Sequence, residues 1–143
     1  MKACFSLLVI SLVLCCQSVK REKAISTPSE VIILEDSLLI SGLNRLRTIR
    51  IYIPPGYSES DESYPVLYMH DGQNLFEDST SFVGEWGVDE NLDSLSQLNN
   101  LSLIVVGIDN GGQDRVHELT AWDHEQYGKA EGKEYMEFIV KKV

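Results

Sequence analysis

The residues best placed to do chemistry lie in Tyr64–Asp78, YPVLYMHDGQNLFED, where a short apolar run empties into a His-Asp-Gly-Gln loop. Pro65 to Met69 is continuously apolar with no alternation, the pattern of a strand buried on both faces of a parallel sheet. Gly72 breaks the run. A glycine just past the carboxyl end of such a strand lets the backbone turn sharply and approach a ligand closely, leaving amide N–H groups to face developing negative charge. Open α/β sheets take ligands at that edge. An ordinary strand-to-loop turn would use the same residues, so the segment alone leaves both readings open.

Such a loop needs a sheet to hold it, and the flanking sequence supplies one. Val31 to Ile40 contains a first strand, and Thr48 to Ile53 alternates, with Ile49, Ile51 and Ile53 on one face and Thr48, Arg50 and Tyr52 on the other. That half-exposed pattern suits an antiparallel edge strand, ended by Pro54-Pro55-Gly56. After the Gly72 loop, Val88, Leu92 and Leu95 form one helical stripe, Asp89 and Glu90 favour the positive end of the helix dipole, and Asn99-Asn100 can close the helix in a left-handed turn. Leu101 to Ile108 reads as a second buried parallel strand, and Tyr135, Phe138, Ile139 and Lys142 share the spacing of a last helix. Edge strands first, then buried strands alternating with helices, is the α/β pattern.

The run TIRIYIPPGYSESDESYPVLYMHDGQNLFED, followed by GEWGVDENLDSL and LIVVGIDNGGQDRVHEL, resembles the opening half of the putative-esterase family of α/β hydrolases, which includes enterochelin, feruloyl, acetyl xylan and esterase D-like enzymes. The similarity runs from about Val31 to Val143. It implies the N-terminal portion of an α/β-hydrolase fold, and it makes the backbone N–H of Gln73, set up by Gly72, one donor of an oxyanion hole. In this family a Ser in a GxSxG elbow, then Asp or Glu, then His complete the machinery. Arg115 and Glu118 match the family's Arg-x-x-Glu-Leu loop, which implies a mutual ion pair in the site wall or, alternatively, contact with substrate.

No stretch of the sequence reads GxSxG, and His70, His117 and His124 all precede the place where the nucleophile would fall. His70 is expected to be a strand-end side chain bonded within its loop, and His117 and His124 surface residues. A single hydrolase domain is expected to need about 200–250 residues, against 143 here, so a fold cut before the nucleophile elbow is expected. Trp86, between two glycines at a helix entrance, is expected to pack in the core rather than to serve as a ligand platform. Asp109, His117, Asp123 and His124 lack the spacing of a ligand signature, so neither a metal nor another cofactor is expected.

The N-terminus reads separately. Lys2 followed by the largely apolar Ala3 to Cys16 has the charge and length of a secretory leader, short of the ~20 residues of a spanning helix. Val13-Leu14-Cys15-Cys16 resembles a relaxed bacterial lipobox, with Cys16 the lipidated residue; a plain signal peptide cut nearby is the alternative. All three cysteines lie in this leader, so the domain has none left for a disulfide. The expected organisation is therefore a leader over residues 1–16, a polar tether over 17–30 and a partial esterase domain over 31–143. The protein would be exported and held at a bacterial membrane only through its lipid, or else secreted.

Removing residues 1–15 takes away only Lys2 among the charged groups, leaving 11 basic and 22 acidic side chains from totals of 12 and 22, a balance of −11. That gives no electrostatic reason to seek nucleic acid. Two functions stay open: a serine ester hydrolase acting on carbohydrate-linked or other small esters, inactive as this chain alone, or a non-catalytic surface-tethered fragment or glycan-binding module. An exposed strand edge would also permit self-association.

Overall fold

The computed structural model describes residues 27–143. The leader, with Cys16, and most of the tether lie outside the described residues. The tether's last residues do not hang free: the Thr27 amide donates to Glu59 at 2.9 Å, Thr27 O accepts from Gly56, and Glu30 already opens the first strand.

A four-stranded mixed sheet organises the chain. Its strands are β1 (Glu30–Ile33), β4 (Ile49–Ile53), β5 (Val66–His70) and β6 (Ile104–Ile108), in the order β1-β4-β6-β5. β1 and β6 flank β4 antiparallel, and β5 runs parallel to β6 in the register Val66↔Ile104 to His70↔Ile108. The single strand expected within Val31–Ile40 is two pieces: β1, and β2 (Leu38–Ile40), which forms a separate hairpin with β3 (Arg45–Arg47). The helices are α1 (Val88–Asn99), the short α2 (Arg115–Glu118) and α3 (Gly132–Lys142).

Thr48 to Ile53 was expected at an edge, but β4 is an interior strand. Its alternation divides two cores rather than core from solvent. Ile49 and Ile51 join Ile40, Ile108, Tyr135 and Phe138 beneath α3, while Tyr52 joins Leu75, Phe76 and Val105 beneath Val88 and Leu92 of α1. Tyr52 can be buried because its hydroxyl donates to Asp93 at 2.8 Å, and Arg50 because its guanidinium grips Asp109 at 2.8 and 3.1 Å. Burial first, and Asp93 second, push the Tyr52 pKa up. α1 closes as the sequence expects, with Asn100 left-handed at φ 53°.

β5 departs from its expectation in the opposite direction. The strand and its parallel pairing are present, yet Val66, Leu67 and Tyr68 are about half exposed, because β5 is the sheet's outer strand and its second side meets no strand among the described residues.

Candidate active site

The parallel register of β5 and β6 sets the site. Because His70 lies opposite Ile108, the loops that follow leave the same edge of the sheet side by side. The first loop opens with a tight turn, Gly72–Asn74, entered through Asp71 at φ 58° and ψ 42°. The left-handed residue of this turn is thus Asp71 rather than Gly72; a short polar side chain tolerates that region better than most. Gly72 is required for a different reason. A Cβ there would lie 2.8 Å from Asp109 Oδ1 and 2.8 Å from the Gly107 carbonyl carbon. Gly107 answers from the other side, where a Cβ would meet Leu75 Cδ1 at 2.9 Å and Gly72 Cα at 3.3 Å. The turn therefore rests on β6 backbone against backbone, with a glycine on each side.

Asp71 is held in place by two groups from the second loop. Arg115 donates to it through Nε at 2.7 Å and Nη2 at 2.8 Å, and Asn110 Nδ2 donates at 2.7 Å. The Arg115 bonds, opposed by burial and aided by Asn110, keep the Asp71 carboxyl below the ordinary carboxylate range. Gln73 completes the stitch: its Oε1 accepts from the Asn110 amide at 3.1 Å and its carbonyl accepts from the Thr80 hydroxyl at 2.7 Å. The turn's internal bonds start at Asn74 and Leu75, and the Gln73 N–H meets no acceptor among the described residues.

Arg115 and Glu118 do not pair with each other. Arg115 takes Asp71, whereas Glu118 is 2 % exposed and accepts from Arg47 at 2.6 Å and Arg45 at 3.2 Å. Arg45 also pairs with Asp114 and Glu131. These bonds fasten the loop of residues 109–131 to β3, so Glu118 is a buried anchor and only Arg115 reaches the wall around Gln73. Gly111 permits the approach, since a Cβ there would fall 2.7 Å from Glu118 Oε2.

The remaining candidates fall elsewhere. His70 ends its strand as expected, but its partner is not in its own loop: its Nδ1 lies 3.2 Å from the hydroxyl of Tyr135 on α3, and burial pushes that phenol up to about 12. His117 Nδ1 bonds the Lys129 carbonyl, His124 closes a small turn with Gly128, Asp123 accepts from Ala130 N, and Asp109 is taken by Arg50. Among the described residues no three His, Cys, Asp or Glu side chains gather as a metal set. Trp86 is not core: it is 50 % exposed, held by its amide on Asn74 O at 2.8 Å. Asp71 and Asn110 escaped the sequence reading, although an Asp before Gly at a strand's end was the available signal for a left-handed turn.

Chemically, this edge offers a tight turn with an amide that meets no acceptor among the described residues, walled by the Arg115–Asp71 pair. It is a portion of an α/β-hydrolase fold. A family profile described as putative esterase matches residues 40–143, and the chain belongs to that family. It is 31% identical over 77 residues to the uncharacterized protein YbbA of Bacillus subtilis (strain 168), a match spanning 53% of this chain and 26% of that protein. Among solved structures it is similar to an IroE-like serine hydrolase from Shewanella oneidensis (TM-score 0.59, 25% identity, 78% of this chain and 36% of that one). It is also similar to a ferulic acid esterase (TM-score 0.52, 22% identity, 81% and 41%) and to the BES protein of Bacillus cereus (TM-score 0.57, 18% identity, 87% and 47%). The chain thus spans less than half the length of each of these proteins.

Proposed function

We propose that this chain is the oxyanion-loop portion of a serine ester hydrolase acting on carbohydrate-linked or other small esters. The observation that carries the reading is the Gln73 amide, without an acceptor among the described residues and held at the carboxyl edge of a parallel strand pair by Gly72, Asn110 and the Asp71–Arg115 pair. An ester carbonyl attacked by a serine becomes an oxyanion, and a preorganised N–H aimed at that oxygen stabilises it without reorganising. Arg115, with 43 % of its side chain exposed, would line the approach for substrate.

The sequence carries no GxSxG, so nucleophile, acid and histidine must be supplied for turnover. The test is a chimera in which residues 27–143 replace the matching portion of the IroE-like hydrolase, assayed on an activated aryl ester with the present chain alone as the inactive control. Hydrolysis by the chimera is expected; a folded chimera without activity, or saturable turnover by the chain alone, would refute the assignment of roles.

Export belongs to the same proposal. Lipidation at Cys16 would hold the domain at a bacterial membrane, and Cys16→Ser should move the protein to the soluble fraction or leave its precursor uncut. Unchanged fractionation and mass would remove the anchor.

A further inference from the structure

Asn110, two residues past the end of β6, commits all four of its polar groups. Its side-chain Oδ1 accepts from the Gly112 amide at 2.9 Å, which fixes the plane of the side chain and turns Nδ2 toward Asp71, where it donates to Oδ1 at 2.7 Å. Its backbone N–H donates to Gln73 Oε1 at 3.1 Å, and its carbonyl accepts from Arg47 Nη1 at 3.2 Å. An asparagine supplies both an acceptor for Gly112 and a donor for Asp71 from one short side chain; an aspartate would lack the donor, and a serine has a single oxygen. Arg47 and Asp71 are both buried, so this cluster belongs to the interior beneath the turn rather than to an open surface.

We propose that Asn110 is the positioning residue of this turn, acting through Asp71; the inference rests on the reading of the Gln73 amide as an oxyanion donor. The direction of that N–H is set by the residues before it. The Asp71 carbonyl accepts from Asn74 N at 2.8 Å and the Gly72 carbonyl from Leu75 N at 3.2 Å, so both point into the turn. The peptide joining Gly72 to Gln73 is planar and trans, and its N–H therefore points opposite to its carbonyl, out of the turn. That arrangement holds only while Asp71 keeps its left-handed backbone, φ 58° and ψ 42°, which a residue other than glycine keeps when its surroundings impose it. Asn110 and Arg115 impose it by gripping the Asp71 carboxylate.

Of the two grips, Asn110 is the one tied to the interior. The Arg115 side chain is 43 % exposed and reaches Asp71 from α2, whereas Asn110 follows β6, the strand on which Gly72 rests, and its carbonyl is bonded to an arginine side chain that is 7 % exposed. Arg47 also holds Glu118 at 2.6 Å, in the same short helix as Arg115. Both grips on Asp71 thus trace to one buried guanidinium, Asn110 directly and Arg115 by way of α2. Without the Asn110 bond, Asp71 is free to relax from its left-handed conformation and swing the Gln73 N–H off its line. A misplacement of about 1 Å at a reacting centre can cost about 10²-fold in rate.

Two measurements test this, with folding of every variant checked by circular dichroism. In the full chain, amide hydrogen exchange reads the turn itself. Asn110→Asp is isosteric and keeps an acceptor for Gly112 but offers Asp71 no proton, and Asn110→Ala removes both bonds. Each should speed exchange at Asn74 and Leu75 by about tenfold or more, while Val105 and Val106 of β6 stay protected as in wild type. In the chimera with the IroE-like hydrolase, each should lower kcat by about 10- to 100-fold with KM little changed. Neither should add a further loss on a Gln73→Pro background, because a residue acting through that N–H then has nothing left to position. Wild-type exchange at Asn74 and Leu75, an unchanged kcat in a folded Asn110 variant, or losses that multiply with that of Gln73→Pro would overturn the role of Asn110. A wild-type kcat in Gln73→Pro alone would instead remove the oxyanion reading, and the role of Asn110 with it.

Discussion

Replacing Glu118 with Ala should destabilise the domain by about 3–5 kcal/mol, the usual cost of leaving a buried ion pair half complete. The structure locates that cost on one residue. The Arg47 side chain is 7% exposed, its Nη2 donates to Glu118 at 2.6 Å, its Nη1 donates to the Asn110 carbonyl at 3.2 Å, and its Nε meets no partner. Removing Glu118 would leave this guanidinium desolvated with a single carbonyl. Arg45 would suffer little, because it is 28% exposed and keeps Asp114 and Glu131. Urea unfolding measures the loss, read from the midpoint at unchanged slope. For a domain of about 5–15 kcal/mol it is a large share. The double variant Arg47→Met, Glu118→Leu should recover most of it, since well-packed apolar replacements dispense with the unpaired charge. A single-variant loss under about 1 kcal/mol, or a double variant no better than the single, would refute the reasoning.

Asp71 and Asp89 should respond to pH in opposite senses. Arg115 holds the Asp71 pKa below its unfolded value, so the contribution of Asp71 is complete above about pH 4 and disappears as pH falls through the lowered folded value. Asp71→Asn should therefore flatten the acid limb of a plot of urea midpoint against pH; an unchanged acid limb would contradict the clamp. Burial first, and the neighbouring Glu90 second, push Asp89 up to about 6, and its Oδ1 is buried without a partner. Its contribution is present below the unfolded value and is lost as pH rises through about 6. Asp89→Asn should thus gain on wild type as pH rises, by about 1 kcal/mol near pH 7 once solvent screening is allowed for. A constant difference between pH 4 and pH 7.5 would refute this.

What could be read from the sequence was what short range determines. Pro65–Met69 and Leu101–Ile108 announce strands by apolar continuity, and Asn99-Asn100 announces a helix end, because those signals need no distant partner. Thr48–Ile53 misled because Arg50 and Tyr52 look like solvent-facing residues until Asp109 and Asp93, 59 and 41 positions away, satisfy them. The same distance hid the true partners of Arg115 and Glu118. Asp71 lies 44 residues before Arg115, and Arg47 lies 71 before Glu118, whereas the two loop residues are three apart and invited a local pair. The exposure of β5 reflects what surrounds a strand, which its own five residues do not encode.

The Gln73 amide is the centre of the account, and removing that one hydrogen tests it most directly. In the chimera with the IroE-like hydrolase, Gln73→Pro deletes the N–H, and the loss of one oxyanion donor should lower kcat by about 10²–10³ with little change in KM. Gln73→Ala keeps the N–H but loses the Oε1 bond to Asn110, and should retain most of the activity. A folded Gln73→Pro chimera with wild-type kcat would contradict the assignment.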